Sequence, residues 1–265
     1  MSEVWDSAQA YERYVGRWSR RVAVRFLRWL PARSQAAWCD VGCGTGALAH
    51  AILAFEQPSR VVGIDPSEQY LAAARDQVAD ERFTTRVGDA LALPAVDEEF
   101  DRVVSALVLN FVTDPSGAVA EMRRITQRGG IVAGYVWDYA EGMGLIRAFW
   151  DAAVELDPAA AELDEGRRFP LCRPEPLQRL FDAAGLTDLW VGALEIPTVF
   201  ADFDDFWKPF LGKQGPAPGY CMTLPEEHRR ALRERLRQRL PRQADGTIAL
   251  TARAWAVRGS VPQPR

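Results

Sequence analysis

The sequence predicts an α/β fold in which helices flank a doubly wound, mostly parallel sheet. Apolar, strand-like segments alternate with amphipathic helical segments along most of the 265 residues. Three successive strands are each followed or ended by an acidic residue, and the first of them leads into a glycine-rich turn that opens a helix. Because the carboxyl ends of parallel strands meet at one edge of a sheet, these features predict a ligand site at that edge.

The composition is that of an ordinary globular protein. Hydrophobic residues make up 48% and charged residues 26%, and the formal net charge of −4 gives no indication of nucleic-acid binding. Four cysteines without a C-x-x-C pair and only two histidines argue against a metal site. The chain has no signal-peptide pattern and no apolar run near the ~20 residues of a membrane span. We therefore expect a cytoplasmic protein without a membrane partner.

A helix over residues 7–30 is the first predicted element. Ser7 can cap its start, Pro31 follows its end, and its apolar residues recur at helical spacing. This helix precedes the first strand, so it lies outside the alternation that builds the sheet.

The first strand, 36–41, leads through a glycine turn into a helix over 46–55. Glycine at positions 42 and 44 allows positive φ and leaves no Cβ between the backbone and a ligand. The helix that follows directs its free N–H groups and the positive end of its dipole into the turn. This combination predicts a nucleotide-type pocket.

The next two strands add acids at the same edge. Strand 60–65 ends in Asp65, about twenty residues after Gly46, at the spacing where an acid can bind both ribose hydroxyls. Strand 83–87 is followed by Gly88-Asp89-Ala90. The spacing supports a nucleoside ligand without choosing its class.

The remaining elements follow from periodicity and from glycine and proline positions. The predicted strands are 99–107, 131–137, 188–199 and 246–257. The predicted helices are 116–127, 141–155, 174–184, 202–211 and 225–240. Pro197 suggests that the sixth strand lies at an edge. We predict a loop over 212–219 and disorder over 259–265.

The first turn, Asp40-Val41-Gly42-Cys43-Gly44-Thr45-Gly46, resembles the D-x-G-x-G-x-G turn of class I S-adenosylmethionine (SAM) dependent methyltransferases. Gly42, Gly44 and Ala47 also match the dinucleotide fingerprint. The charge of Asp40 favours SAM, because a carboxylate repels a pyrophosphate and attracts an ammonium and a sulfonium. The later F-D-x-V strand and the G-G step before the fifth strand resemble the small-molecule branch called type 11 or ubiquinone-biosynthesis-like.

This resemblance implies a Rossmann-like doubly wound sheet of seven strands with strand seven antiparallel. It also implies an N-terminal lid helix and helical insertions after strands five and six. We expect a single domain, 1–265, whose cofactor-binding core is 36–137. The regions 1–35, 138–187 and 200–245 are then the lid and acceptor-pocket additions.

The resemblance implies SAM-binding roles for residues of the core and of the first helix. Asp89 would accept from the adenine amino group and the Ala90 N–H would meet a ring nitrogen. Arg17 would pair with the cofactor carboxylate, unless the first helix only packs on the sheet. The predicted cofactor residues are Tyr14, Arg17, Asp40, Gly42, Cys43, Gly44, Asp65, Pro66, Asp89, Ala90, Ser105, Ala106 and Leu107.

The predicted function is in-line methyl transfer from SAM to a small organic acceptor, with S-adenosylhomocysteine as product. Such transfer needs alignment and exclusion of water more than a fixed base. If a base is used, Asp138 and Tyr14 are the candidates and Tyr139 is a lesser one, although Asp138 also fits a turn or cap. Asn110 replaces the histidine that relatives often carry in its loop.

An aromatic-rich composition of the additions indicates a flat or apolar acceptor. These aromatic residues are Trp137, Tyr139, Phe149, Trp150, Phe169, Phe206, Trp207, Phe210 and Tyr220. No Asn/Asp-Pro-Pro-Tyr motif is present, which argues against a DNA acceptor.

Two alternatives stay open. One is a SAM-binding protein or a non-methylating SAM-dependent enzyme, which would use the same binding residues. The other is an NAD-dependent oxidoreductase, which the charge of Asp40 opposes and for which no Tyr-x-x-x-Lys or histidine relay is present. The sequence leaves open the acceptor, the methylated atom, the pathway, and whether the protein is a monomer or a homodimer.

Overall fold

The computed structural model of the protein describes residues 12–212 and 215–263. It contains a seven-stranded sheet with the strand order β3-β2-β1-β4-β5-β7-β6. The strands are β1 (Ala37–Val41), β2 (Arg60–Asp65), β3 (Phe83–Val87), β4 (Phe100–Ala106), β5 (Thr126–Trp137), β6 (Thr187–Phe200) and β7 (Ile248–Ser260). The predicted Rossmann-like fold class is confirmed.

Ten α-helices accompany these strands in the described part of the chain. They are α1 (Arg17–Trp29), α2 (Ala47–Phe55), α3 (Glu68–Gln77), α4 (Pro115–Arg124), α5 (Gly144–Leu156), α6 (Glu165–Arg168), α7 (Pro174–Ala183), α8 (Phe203–Trp207), α9 (Pro216–Thr223) and α10 (Glu226–Arg239). A π-helical turn, Glu12–Gly16, precedes α1, and 3₁₀ segments occupy Pro158–Leu163 and Lys208–Leu211.

The parallel part of the sheet has β1 at its centre. Cys39 of β1 is in register with Val62 of β2 and with Val103 of β4, so both neighbours of β1 run parallel to it. Strands β1, β2 and β4 are buried along nearly all their length, which explains their almost unbroken apolar sequences. The strand order reverses between β1 and β4, and ligands bind α/β sheets at such a switch point.

Strand β7 runs antiparallel to β5, as the sequence predicts. The N–H of Gly129 donates to the carbonyl of Val261, whereas the N–H of Asp138 donates to the carbonyl of Arg253, both at 2.9 Å. Residue numbers thus rise along β5 while those of the paired residues fall along β7, which is the antiparallel arrangement. Strand β6 lies at the edge of the sheet. Pro197 has no N–H to donate to a neighbouring strand, and an edge strand tolerates this because one of its sides has no neighbour.

Three predicted boundaries are wrong. Strand β5 begins at Thr126 because Gly129, with φ of 73°, sits in an irregularity of the strand instead of ending a loop. The predicted loop 212–219 gives way to α9, whose first residue is a proline, a position where the missing N–H does no harm. Strand β7 extends to Ser260, and the next N–H, of Val261, donates to Gly130, so disorder does not begin at 259.

The predicted first helix begins outside the described residues, and its described part is the π-helical turn followed by α1. Ser67 caps α3, because its hydroxyl accepts from the N–H of Tyr70 at 3.3 Å. Asp114 caps α4 in the same way by accepting from the N–H of Gly117 at 3.0 Å.

The chain divides into two compact units, and three of the boundaries fall within β5, β6 and β7. The other two fall within α1 and between α6 and α7. We call the described residues of 19–136, 171–194 and 254–265 the core unit. The described residues of 1–18, 137–170 and 195–253 form the helical unit, named for α5, α6 and α8 to α10. The single-domain assignment of 1–265 stays a prediction.

We predict that Gly42→Ala destabilises the protein by about 2–4 kcal/mol. Gly42 has φ of +72°, and a Cβ there would lie 2.6 Å from a methyl of Val108, whose branched side chain has little freedom to move away. Denaturant unfolding measures the difference.

Gly44→Ala is the matched control, because Gly44 also has positive φ but a Cβ there meets nothing within 4 Å. Only backbone strain remains, so we expect about 1–2 kcal/mol. Equal losses in the two variants would contradict the steric explanation.

Candidate functional site

The candidate site lies in the core unit, where the carboxyl ends of β1 and β2 meet the glycine turn. Gly42, Gly44 and Gly46 all have positive φ, of 72°, 52° and 84°. The N–H groups of Gly42 and Cys43 donate to the carbonyl of Ile64 at 2.7 and 3.1 Å. The turn is thus fixed to β2 and leads directly into the N-terminus of α2.

Asp65 holds the glycine turn together with the start of α3. One of its carboxylate oxygens accepts from the N–H of Gly44 at 3.0 Å and the other from the N–H of Ser67 at 2.9 Å. Burial raises the pKa of Asp65, and these two hydrogen bonds oppose the rise. Each oxygen keeps a second lone pair that a ligand hydroxyl can use.

Asp40 is the most unusual group of the site. Its side chain is 0% exposed, and among the described residues neither carboxylate oxygen accepts a hydrogen bond. Burial, and then the charge of Asp65, raise the pKa of Asp40 to about 7. The Ala49 amide acts in the opposite direction without reaching hydrogen-bonding geometry.

These two carboxyls fit a cationic nucleoside better than a dinucleotide. A buried carboxylate without a partner is unfavourable, and a ligand ammonium or sulfonium would relieve it. A pyrophosphate would add negative charge beside Asp40 and Asp65. The open space at Gly44 also allows a ligand to approach the backbone closely. The residues present therefore fit SAM.

The other predicted cofactor residues of the core unit differ in how they connect to this centre. Ser105 is buried and its hydroxyl donates to the carbonyl of Val41 at 2.9 Å, which ties the end of β4 to the end of β1. The N–H of Gly88 donates to the carbonyl of Asp65 at 3.2 Å. The exposed Asp89 accepts from the N–H of Leu91, a contact within its own turn.

The rest of the set contributes backbone or apolar surface. Leu107 has φ of 62°, an uncommon conformation for a bulky residue. The sequence contains no indication of this backbone conformation. Strained backbone of this kind often occurs at functional sites. Burial raises the pKa of the Cys43 thiol, which is therefore neutral. Pro66 is exposed, and Ala90 and Ala106 are partly exposed.

Tyr14 and Arg17 belong to the helical unit. Arg17 donates from Nη1 to both oxygens of Asp205, at 2.9 and 3.2 Å, and its guanidinium stacks over Phe200 at 4.8 Å. Tyr14 places its ring edge against Phe210, with the ring centroids 5.8 Å apart. Their roles toward the cofactor stay predictions, since the structure gives Arg17 a carboxylate within its own unit.

Asp138 is also in the helical unit, where both of its oxygens are engaged. Arg253 donates from Nε to Oδ2 at 2.7 Å, and Oδ1 accepts from the N–H of Glu141 at 3.1 Å. The side chain is 3% exposed. This arrangement is typical of a structural ion pair that also closes a turn, and the catalytic role of Asp138 stays a prediction.

Glu165, a buried carboxyl on α6, was not among the residues that the sequence indicated. Glu165 is 1% exposed, and its carboxyl accepts a hydrogen bond from the indole N–H of Trp150. Residues 158–165 look like an acidic surface segment in the sequence, since nothing in their pattern indicates burial. The only available signal was the adjoining Asp164, which can cap α6 and thereby orient Glu165 into the interior.

Comparison with known proteins identifies the family. The profile of a family described as "Methyltransferase domain" matches residues 39–134. A demethylmenaquinone methyltransferase from Roseiflexus sp. (strain RS-1) is 31% identical over 166 residues, which are 57% of this chain and 67% of that protein. The chain belongs to the class I SAM-dependent methyltransferases. Its motifs place this methyltransferase in the type 11, ubiquinone-biosynthesis-like branch.

Other relatives match shorter parts of the methyltransferase. A ubiquinone/menaquinone biosynthesis C-methyltransferase from Geobacter sulfurreducens is 37% identical over 119 residues, covering 43% of this chain and 45% of that protein. The match thus spans less than half of that relative. A solved phosphoethanolamine N-methyltransferase 2 from Haemonchus contortus has a TM-score of 0.59 and 19% identity, over 96% of this chain and 57% of that one. It shows that the fold is shared.

The described part of the methyltransferase contains no helix that is long and apolar enough to cross a membrane. Within the same residues, no group of three or more histidine, cysteine, aspartate or glutamate side chains could hold a metal ion.

We predict that Asp40→Asn makes the ligand-free methyltransferase more stable at pH 8 by about 2–4 kcal/mol. In the folded state the pKa of Asp40 is about 7, above its usual 3.8. The wild type therefore loses stability from this group as the pH rises from about 4 to 7, and the variant does not.

Denaturant titrations at pH 4.5 and pH 8 test this expectation. The difference between wild type and Asp40→Asn should be small at pH 4.5, where the wild-type carboxyl is largely protonated in the fold. An Asp40→Asn variant that is less stable at pH 8 would show that the carboxylate has a stabilising partner.

We predict that Asp138→Asn destabilises the methyltransferase by about 2–4 kcal/mol, because it removes the charged partner of Arg253 from a buried position. Glu141→Gln is the matched control. Glu141 reaches the same guanidinium at 3.4 Å but its side chain is 82% exposed, so its loss should change stability by no more than ~0.5 kcal/mol. Unchanged stability together with lost turnover in Asp138→Asn would favour the catalytic role instead.

Proposed function

We propose that the core unit binds SAM at the glycine turn and that the enzyme methylates a small aromatic or apolar acceptor by in-line displacement. The observation that carries this proposal is the buried, unpartnered carboxyl of Asp40 beside Asp65. A cationic ligand supplies the charge that these two side chains lack. The matched profile and the relatives described above support methyl transfer as the reaction class.

The chain's own residues would hold the cofactor as follows. Asp40 provides the negative charge for the ammonium end, and Asp65 offers its free lone pairs to the ribose hydroxyls. The backbone at Gly44 is open to the ligand. Asp89, Ala90 and the segment 105–107 would bound the adenine. When bound, SAM supplies an electrophilic methyl group, so these residues need to orient it and exclude water rather than activate it.

The aromatic character of the helical unit supports a flat or apolar acceptor. Phe149 and Phe210 stack with centroids 4.5 Å apart, and Trp150 lies 5.4 Å from Tyr220. Most of the aromatic residues of this unit are buried. Two of the relatives are named for menaquinone or ubiquinone biosynthesis, which is consistent with an acceptor that has a ring. The cytoplasmic location and the monomeric or homodimeric state stay predictions.

One alternative within the same fold needs a separate test. The [4+2]-cyclase SpnF shares the fold, with a TM-score of 0.57 and 18% identity over 98% of this chain and 88% of that one. Incubation with SAM and a panel of acceptors distinguishes the two functions. Release of S-adenosylhomocysteine in proportion to methylated product supports methyl transfer, whereas binding of SAM without that release supports a non-methylating role.

We predict that Asp65→Ala weakens SAM binding by about 1.5–3 kcal/mol, because a charged acceptor for two hydroxyls is lost. Isothermal titration calorimetry measures the affinity. Glu68→Ala, which changes an exposed acid three residues further along on α3, should leave it unchanged. An affinity that is the same in Asp65→Ala as in the wild type would contradict the assigned site.

A further inference from the structure

Helix α10 carries an excess of positive charge that contrasts with the rest of the chain. Its fourteen residues include six arginines and three glutamates, whereas the formal net charge of the whole protein is −4. Two of the six, Arg235 and Arg239, form ion pairs with Glu155 of α5 and thereby hold the helix within its own unit. Three of the other four line a cavity instead.

This cavity has a volume of about 350 Å³ and lies wholly within the helical unit. Its charged side consists of Arg229, Arg230 and Arg233 together with one carboxylate, Glu226. The carboxylate is shared, because Arg229 donates to one of its oxygens at 2.8 Å and Arg230 donates to the other at 3.0 Å. These ion pairs therefore supply one negative charge for two guanidiniums.

The arginines keep donors for a further anion. Within the described chain, Arg233 makes one side-chain hydrogen bond, from Nη2 to Asp204 at 3.0 Å. Arg230 likewise makes one, from Nε to Glu226. A guanidinium has five N–H donors. Both side chains can therefore bind an additional acceptor without losing these contacts.

The rest of the cavity lining is apolar and is formed by Trp207, Leu211 and Met222. Trp207 is 5% exposed, whereas Leu211 is 42% exposed and presents its hydrocarbon in the same cavity as the guanidiniums. Met222 has its sulfur 3.6 Å from Nη1 of Arg229. The unbranched side chain of methionine adapts to what binds beside it. A mixed lining of this kind fits a small ligand that has one anionic group and one apolar part.

We propose that this cavity binds a small, soluble amphiphilic anion, namely a carboxylate that carries a short hydrocarbon chain. The carboxylate accepts N–H donors of Arg230 and Arg233, and the chain covers Leu211 and Met222. Guanidiniums bind carboxylates through charge-assisted hydrogen bonds of matching geometry. The site is separate from SAM binding, which the proposed function assigns to the core unit.

Glu226 holds two of the guanidiniums in the absence of such a ligand. Its side chain is 58% exposed. The hydrogen bond from Arg229 lowers the pKa of Glu226, so this carboxylate is ionised at neutral pH and competes with an incoming one. A ligand site therefore differs from a solvated helix face in a measurable way, because removal of Glu226 should strengthen binding of an anion.

Calorimetric titration of the full chain with octanoate tests the proposal. Two further titrants separate the two parts of the ligand, since 1-octanol has the chain without the charge and acetate has the charge without the chain. Wild type should bind octanoate saturably and at least ~10-fold more tightly than either of them. The affinity should fall as the NaCl concentration rises, because salt screens exposed guanidiniums.

Substitutions on α10 assign the binding to the cavity. Arg230→Gln and Arg233→Gln should each weaken octanoate binding by ~3–5-fold, as expected for an exposed ion pair. Arg235→Gln is the matched control and should bind as the wild type does, because Arg235 lies on the same helix and pairs with Glu155. Glu226→Gln should strengthen binding by ~2–5-fold, since it frees both arginines. Thermal unfolding verifies that each variant folds.

Four outcomes would overturn the inference. These are no saturable binding of octanoate, equal binding of 1-octanol or acetate, a loss in Arg235→Gln as large as that in Arg233→Gln, and an affinity that Glu226→Gln leaves unchanged or lowers. Binding to anionic phospholipid vesicles without binding of octanoate would also refute it and would assign this face to a membrane. SAM affinity, measured in the same variants, should not change, so the inference and the proposed function can fail separately.

Discussion

The placement of Asp40 in a dry position beside Asp65 is the constraint around which the core unit is built. Parallel strands bring the two acids to one edge, and the hydrogen bonds from Gly42 and Cys43 to Ile64 and from Gly44 to Asp65 hold the turn between them. These three backbone N–H groups of the turn are thereby directed to acceptors other than Asp40. The pocket is negatively charged and preorganised, which suits a cationic nucleoside and excludes a pyrophosphate.

This arrangement sets stability against function. A carboxyl without a partner makes the ligand-free fold less stable above pH 7, and a bound cation removes the penalty. The backbone of Leu107, just after β4, is also strained and likewise lowers the stability of the fold. A cationic ligand would gain binding free energy from the unpartnered carboxyl of Asp40, whereas the strands β1, β2 and β4 around it are buried along nearly all their length.

The helical unit shows that burial of an acid does not by itself indicate chemistry. Asp138 and Glu165 are both almost inaccessible. Asp138 has a guanidinium and a backbone N–H as partners, whereas the side-chain donor to Glu165 within the described residues is the neutral indole of Trp150. The two acids thus differ in whether a positively charged side chain is bonded to them. Most of the aromatic side chains that the sequence assigns to the acceptor-pocket additions are buried.

The sequence by itself determined the central strands, the ligand-binding edge and the cofactor class, because these depend on local patterns: apolar strands of five to seven residues, glycines where φ is positive, and acids at strand ends. The seven-stranded arrangement followed from the family resemblance. The tertiary structure decided which side chains are left without partners. Asp138, which the sequence offers both as a candidate base and as a turn residue, is bound by Arg253, 115 residues away. Glu165 lies in an acidic segment of the sequence, yet its short helix buries it. Charge compensation is a property of contacts between distant segments, and periodicity along the chain carries no record of it.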